Sequence, residues 1–136
     1  MPIPLVNSIA SWFMKKRFHQ IELFMKYPSE VQNELLFNLL DIAKNTEWGK
    51  KYGFSSIKSY EDFKNNIPLS SYPSIQKDVD RMREGEQNII WPTEIKWFAK
   101  SSGTTSSKSK FIPVSQEAIE DCHFKGGKDL LSIYCN

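Results

Sequence analysis

The sequence predicts an α+β fold, mainly helical, with one short antiparallel strand pair. Three observations predict it. Apolar residues recur at helical spacing through most of 5–26 and 29–46. Two short runs, Ile95–Ala99 and Lys110–Val114, read as strands. The chain has 136 residues, 40% apolar and 25% charged, which is an ordinary globular profile with room for one domain.

The first helix, 5–26, places Leu5, Ile9, Trp12, Phe13, Ile21, Phe24 and Met25 mostly on one stripe. An aromatic stripe at this spacing reads as core, so Trp12, Phe13 and Phe24 carry no functional expectation. Pro28-Ser29 interrupts, and Ser29 followed by Gln32 has the pattern of a capping box for the helix 29–46. Val31, Leu35, Leu36, Leu39, Ile42 and Ala43 form its apolar face. Ser59 is placed to cap a short helix through Lys64, with Asp62 at the favourable end of its dipole. Ile67-Pro68 breaks the chain, because the residue before proline is driven out of the helical region.

A helix over 72–83 follows Ser71, with Pro73 in its first turn, Ile75, Val79 and Met82 as the buried stripe, and Gly85 at its end. In the first strand Trp97 and Ala99 share one face and Lys96, Phe98 and Lys100 the other. Pro113 weakens pairing at the far end of the second strand. Ser115 opens a last helix over 115–131, with Glu117, Glu120 and Asp121 in its first turns. The organisation is thus helical over 1–94 and strand–loop–strand–helix over 95–136.

Eighteen Lys and Arg against 16 Asp and Glu give a net charge of +2, too small a bias for a nucleic-acid or anionic-membrane binder. The aromatics sit in helical stripes rather than among the lysines, which also argues against nucleic acid. Cys122 and Cys135, with His19 and His123 as the only histidines, have neither disulfide-framework nor zinc spacing, so no metal site is expected. The apolar stretch Leu5–Met14 is interrupted by Asn7, Ser8 and Ser11 and ends at Lys15-Lys16-Arg17. It is too short to span a bilayer, and its basic residues follow the apolar part instead of preceding it as in a signal peptide. A cytoplasmic protein is expected.

One stretch has chemistry in it: Ser101-Ser102-Gly103-Thr104-Thr105-Ser106-Ser107-Lys108-Ser109-Lys110. Seven of its ten residues carry hydroxyls, two are lysines and one is glycine. Phosphate oxygens take hydrogen bonds from hydroxyls and loop amides, glycine lets backbone come close, and lysine neutralises charge. From Ile95 to Gln116 there are four lysines and no acidic residue, leaving 14 basic against 16 acidic residues elsewhere. Positive charge is concentrated where the hydroxyls are. The loop is not a Walker A motif, since no Gly-Lys pair occurs within it and it joins two strands. Composition alone also suits a flexible, solvated connection.

The order of the residues says more. Ser101-Ser102-Gly103-Thr104-Thr105, a spacer, then Lys110 and Ile112-Pro113, resembles the first ATP/AMP-binding motif of the adenylate-forming superfamily. Within it the chain is similar to the auxin-responsive (Gretchen Hagen) family of acyl acid amido synthetases. Ile67-Pro68-Leu69, Arg81-Met82-Arg83-Glu84-Gly85-Glu86, Trp97-Phe98-Ala99-Lys100, Cys122-His123 and Gly126-Gly127-Lys128 extend the likeness over essentially the whole chain. Ser106 stands where the superfamily usually has glycine.

The resemblance implies the N-terminal portion of an adenylate-forming enzyme's large domain, from an ATP-dependent ligase that forms an acyl-adenylate and then an amide. Ser101, Ser102, Gly103, Thr104 and Thr105 would wrap the phosphates and Lys110 would add charge. ATP and Mg²⁺ would be required, with nucleotide, carboxylic acid and amine as substrates. Family members are several times longer, so the chain is expected to be an N-terminal piece, inactive alone, that exposes or self-associates through apolar surface. The alternative is a small helical interaction module with an exposed Ser/Lys loop.

Overall fold

The computed structural model describes residues 4–102 and 109–134. Its elements are α1 (Pro4–Lys26), α2 (Pro28–Ala43), α3 (Glu47–Lys51), a 3₁₀ turn at Phe54–Ser56, α4 (Tyr60–Asn66), α5 (Tyr72–Arg83), β1 (Trp97–Lys100), β2 (Phe111–Val114) and α6 (Lys125–Tyr134). A π-helical stretch, Ala118–Phe124, runs directly into α6. The mainly helical fold with one antiparallel strand pair is the expected class. No helix among the described residues is long and apolar enough to cross a membrane.

The chain divides into two compact units, Asn33–Gln116 and Met1–Gln32 with Glu117–Asn136. In the first, Val79, Met82, Ile89 and Ile95 form the buried core, with Trp48, Ile75, Trp91, Phe98 and Phe111 packed against it. Val79 and Met82 are the stripe the α5 pattern announces. In the sheet, Trp97 pairs with Val114, Phe98 with Pro113, Ala99 with Ile112 and Lys100 with Phe111. The face carrying Phe98 turns to the core, and Trp97 on the other face is exposed.

Helix ends follow local chemistry. Ser59 and Asp62 form a reciprocal capping box at α4: the Asp62 amide donates to Ser59 Oγ at 3.0 Å, and Asp62 Oδ2 accepts from the Ser59 amide at 2.9 Å. At the end of α5, Gly85 adopts φ +103°, a left-handed conformation suited to glycine. Its amide donates to Met82 O and that of Glu86 to Arg81 O, both at 3.1 Å, which together make a Schellman motif.

Several expected boundaries move. The helix expected over 29–46 begins at Pro28 and ends at Ala43. Ser29 lies inside its first turn: proline is well suited to the first helical position, and Val31 N–H bonds Tyr27 O at 3.1 Å across the junction. Thr46 instead caps a separate helix, α3. Its buried hydroxyl donates to Ala43 O at 2.7 Å and accepts from the Gly49 amide at 2.9 Å. The amides of Glu47 and Trp48 donate to Asn88 O and Ile89 O, both at 3.0 Å, so a five-residue helix has its N-terminal donors satisfied from a distant segment. Gly49 is required by the close approach: a Cβ there would lie 2.1 Å from Ala43 O. The first strand starts at Trp97, with Ile95 buried ahead of it, and the second at Phe111. The last helix takes π-type turns before settling into α6 and continues to Tyr134.

In the second unit α1 packs on α6. The Arg17 guanidinium grips both oxygens of the Asp129 carboxylate, Nε to Oδ1 and Nη2 to Oδ2, the latter at 2.9 Å. Here the expectation of an aromatic core fails. Trp12 and Phe13 are each 59% exposed and Phe24 is 42% exposed. Helical periodicity identifies an apolar face, but burial also needs a neighbour to cover it.

Candidate functional site at the base of the Ser/Thr/Lys loop

The alternation of β1 and β2 delivers the chain into the loop at Ser101 and takes it back at Lys110. Ser101 N–H donates to Lys110 O at 2.9 Å, and Lys110 N–H donates to Ser101 Oγ at 3.0 Å. These two bonds carry the ladder one step beyond Lys100–Phe111 and close the neck of the loop. Ser101 is half-buried, while Ser102 and Lys110 are exposed. Gly103, Thr104 and Thr105 lie outside the described residues, as do Ser106, Ser107 and Lys108. Of the residues singled out for phosphate, Ser101 and Lys110 are thus brought together, and Ser102 follows directly.

The closure gives Ser101 a second task. Its oxygen accepts from the Lys110 amide, and its hydroxyl hydrogen is left for another acceptor. No acidic residue lies between Ile95 and Gln116, so the neck stands in a locally basic segment. Lys96, at its far end, pairs with Glu94 at 3.0 Å.

Two residues of α5 complete the neck, and sequence reasoning passed over both. Tyr72 Oη accepts the Phe111 amide hydrogen at 2.9 Å, and its ring centroid lies 5.6 Å from Lys110 Nζ. Arg83 Cζ lies 3.9 Å from the centroid of the Phe111 ring. Tyr72 is 39 residues from its partner, and Arg83 belongs to a mixed-charge face that reads as solvated. No local signal connects either to the loop.

A separate polar cluster braces the same unit. Arg81 donates to both carboxylate oxygens of Glu47 at 2.9 and 2.8 Å, and to Glu86 Oε2 at 2.9 and 2.6 Å. Trp48 Nε1 donates to Asp78 Oδ2 at 2.9 Å. Arg81 hydrogen bonds hold the Glu47 carboxyl below its ordinary pKa, and Glu47 and Glu86 raise that of Arg81. The cluster ties α3 to α5 and is structural in character. Among the described residues no group of three His, Cys, Asp or Glu side chains could hold a metal ion, and Cys122 is a free, exposed thiol.

Residues 17–136 match the model of the GH3 family N-terminal domain. The chain belongs to the GH3 family. Its sequence is 29% identical over 100 residues to the indole-3-acetic acid-amido synthetase GH3.4 of Arabidopsis thaliana, covering 73% of this chain and 17% of that protein. It is 28% identical over 118 residues to the jasmonoyl-L-amino acid synthetase JAR6 of Nicotiana attenuata, covering 85% of this chain and 20% of that one. The fold is similar to a part of the GH3.15 acyl acid amido synthetase, with a TM-score of 0.77 at 23% identity over 85% of this chain and 21% of that chain. This GH3 chain therefore spans about a fifth of the length of the relatives it matches. Within that fifth lies the strand–loop–strand neck.

Proposed function

We propose that this GH3 domain carries the phosphate loop of an ATP-dependent acyl acid amido synthetase acting in the cytoplasm. In the reaction, a carboxylate oxygen attacks the α-phosphate of ATP and pyrophosphate leaves. An amine then attacks the acyl carbon of the acyl-adenylate, and AMP leaves as the amide forms. Pyrophosphate departs with several negative charges, and donors aimed at those oxygens lower the barrier. The residues assigned to them are Ser101, Ser102, Gly103, Thr104 and Thr105, with Lys110 supplying charge.

The observation that carries the reading is the Ser101–Lys110 closure. It holds a hydroxyl and an ammonium-bearing residue at the two ends of one Ser/Thr-rich loop. The donor set fits phosphate, because it offers hydroxyls, amides and lysine without a competing carboxylate. It lacks the carboxylate that a divalent cation such as Mg²⁺ commonly takes, since the segment from Ile95 to Gln116 has none. The reading therefore assigns no metal ligand to this chain.

The test is pyrophosphate exchange with ATP over a panel of carboxylic acids. The chain alone should give no signal, because one phosphate loop supplies only part of the transition-state binding. A chimaera in which it replaces the matching N-terminal stretch of a full-length relative should exchange. Thr104→Ala should lower that exchange by roughly 10²–10³, the usual effect of deleting one donor to a developing charge. Ser109→Ala is the control and should change it little. Equal behaviour of the two variants would reduce the loop to a solvated connection, and robust exchange by the chain alone would overturn its assignment as a partial site.

A further inference from the structure

Residues 72 and 83 are eleven apart, about three helical turns, so they stand on one face of α5. That face meets the exit of the loop at both its ends. Tyr72 Oη takes the Phe111 amide hydrogen at 2.9 Å, and the Arg83 guanidinium lies 3.9 Å from the Phe111 ring centroid. Arg83 is held in turn by Asp80 Oδ1 at 3.1 Å. Phe111 is thereby fixed by its backbone and by its ring, and the residue before it, Lys110, leaves a fixed point. Its amide is spoken for by Ser101 Oγ, and its ammonium stands 5.6 Å from the centre of the Tyr72 ring.

We propose that Tyr72 is a positioning residue for Lys110, setting the strand exit with its hydroxyl and the ammonium with its ring. A lysine stem is long and flexible, and an arriving anion would otherwise have to quench that freedom. An aromatic face attracts the cation beforehand and leaves its N–H donors able to reach a phosphate oxygen. Preorganisation of this kind strengthens binding without adding a contact to the ligand. The inference rests on the phosphate reading of the loop and deepens it: α5, which that reading leaves out, becomes its support.

The experiment titrates the 136-residue chain into inorganic pyrophosphate at low ionic strength and follows the ³¹P line width. Lys110→Ala should weaken binding. Tyr72→Leu, which removes ring and hydroxyl, should weaken it roughly two- to fivefold, the size expected of an exposed cation–π contact. Tyr72→Phe, which keeps the ring, should restore the cation–π share of the affinity, while the Phe111 amide loses its hydrogen-exchange protection with the hydroxyl. A Tyr72→Phe variant no better than Tyr72→Leu would overturn the role of the ring. The double variant Tyr72→Leu/Lys110→Ala should bind no more weakly than Lys110→Ala.

If Tyr72→Leu binds like the unsubstituted chain while Lys110→Ala does not, the positioning role is overturned and the phosphate reading stands. If the unsubstituted chain fails to bind, or Lys110→Ala binds as well as it does, the phosphate reading of Lys110 falls and this inference with it. Should Tyr72→Leu not fold, the unsubstituted chain decides. Nuclear Overhauser contacts between the Lys110 ε-methylene and the Tyr72 ring support the proposal, and their absence overturns it.

Discussion

The unit Asn33–Gln116 and the unit formed by Met1–Gln32 with Glu117–Asn136 are stabilised in different ways. The first has a core: Leu40, Ala43, Ile57, Val79, Met82, Ile89 and Ile95 are all buried. In the second, Ser132 alone is buried among the described side chains, while Trp12, Phe13, Met25, Leu130, Leu131 and Ile133 are exposed. Its strongest specific contact is the Arg17–Asp129 fork. Both units contain amphipathic helices, so amphipathicity is not what separates them. The first surrounds the apolar stripe of α5 with neighbours from α3, β1, β2 and the segment between α5 and β1. The second pairs two helices, and two helices can cover only one side of each other. The neck of the Ser/Thr/Lys loop, Ser101 with Lys110, is carried by the unit with the core.

The largest expected effect follows from that difference. Met82 is 3% exposed at the centre of the Asn33–Gln116 core, so Met82→Ala removes buried methylenes and leaves a cavity. The expected loss is about 2–5 kcal/mol in a denaturant melt, enough to threaten a small domain. A loss comparable to that of an exposed position would show that the core is not the main source of stability, and the contrast would break.

How much of this was legible in the sequence depends on how far each feature reaches along the chain. The Ser59 cap and the Gly85 stop were legible because every atom involved lies within five residues. The Val79 and Met82 stripe was legible because α5 has its neighbours on one side. The Thr46 cap was not, because α3 depends on carbonyls of Asn88 and Ile89, which come from more than forty residues away. Helical pattern alone therefore carried α2 past its true end. The aromatic stripe of α1 was misread for the complementary reason: Trp12 and Phe13 announce an apolar face but not its cover. At the candidate site, composition and order single out Ser101 and Lys110, and the structure pairs them across the neck. Tyr72 was not, since a tyrosine at the start of a helix has no local feature tying it to a strand 39 residues on.

A smaller effect sharpens the account of the polar brace beside the core. Arg81 hydrogen bonds lower the Glu47 carboxyl, while desolvation and the Asp78 charge oppose them. A depressed folded-state pKa contributes stability above the ordinary carboxylate range, and that contribution is lost as pH falls through the folded value. Melting temperature should therefore fall on acidification below the ordinary carboxylate range. Arg81→Met should lower the melt at neutral pH, and the gap to the unsubstituted chain should narrow as pH drops. Asp62, lowered by the Lys58 amide and by Ser59, retains its own acid dependence in both proteins. A gap constant with pH would mean that the Arg81 contribution comes from its stem packing and not from Glu47.

The smallest effect belongs to the exposed face of α6. Leu130 is 70% exposed, so replacing it removes little buried apolar area. Glutamine is the informative substitute, because it matches leucine closely in helix propensity and length, leaving polarity as the main change. Leu130→Gln should shift stability by no more than about 0.5 kcal/mol, the usual range for a surface substitution. The melt should be repeated at two protein concentrations, since association adds stability that grows with concentration. A concentration-independent loss of about 2 kcal/mol or more would place Leu130 in a core and erase the contrast between the units. A loss seen only at the higher concentration would show that this apolar face is covered by a second copy of the chain. The outcome that preserves the contrast is a flat response at both concentrations: α6 then holds its place through Arg17–Asp129 and its inner face, with Leu130 left facing water.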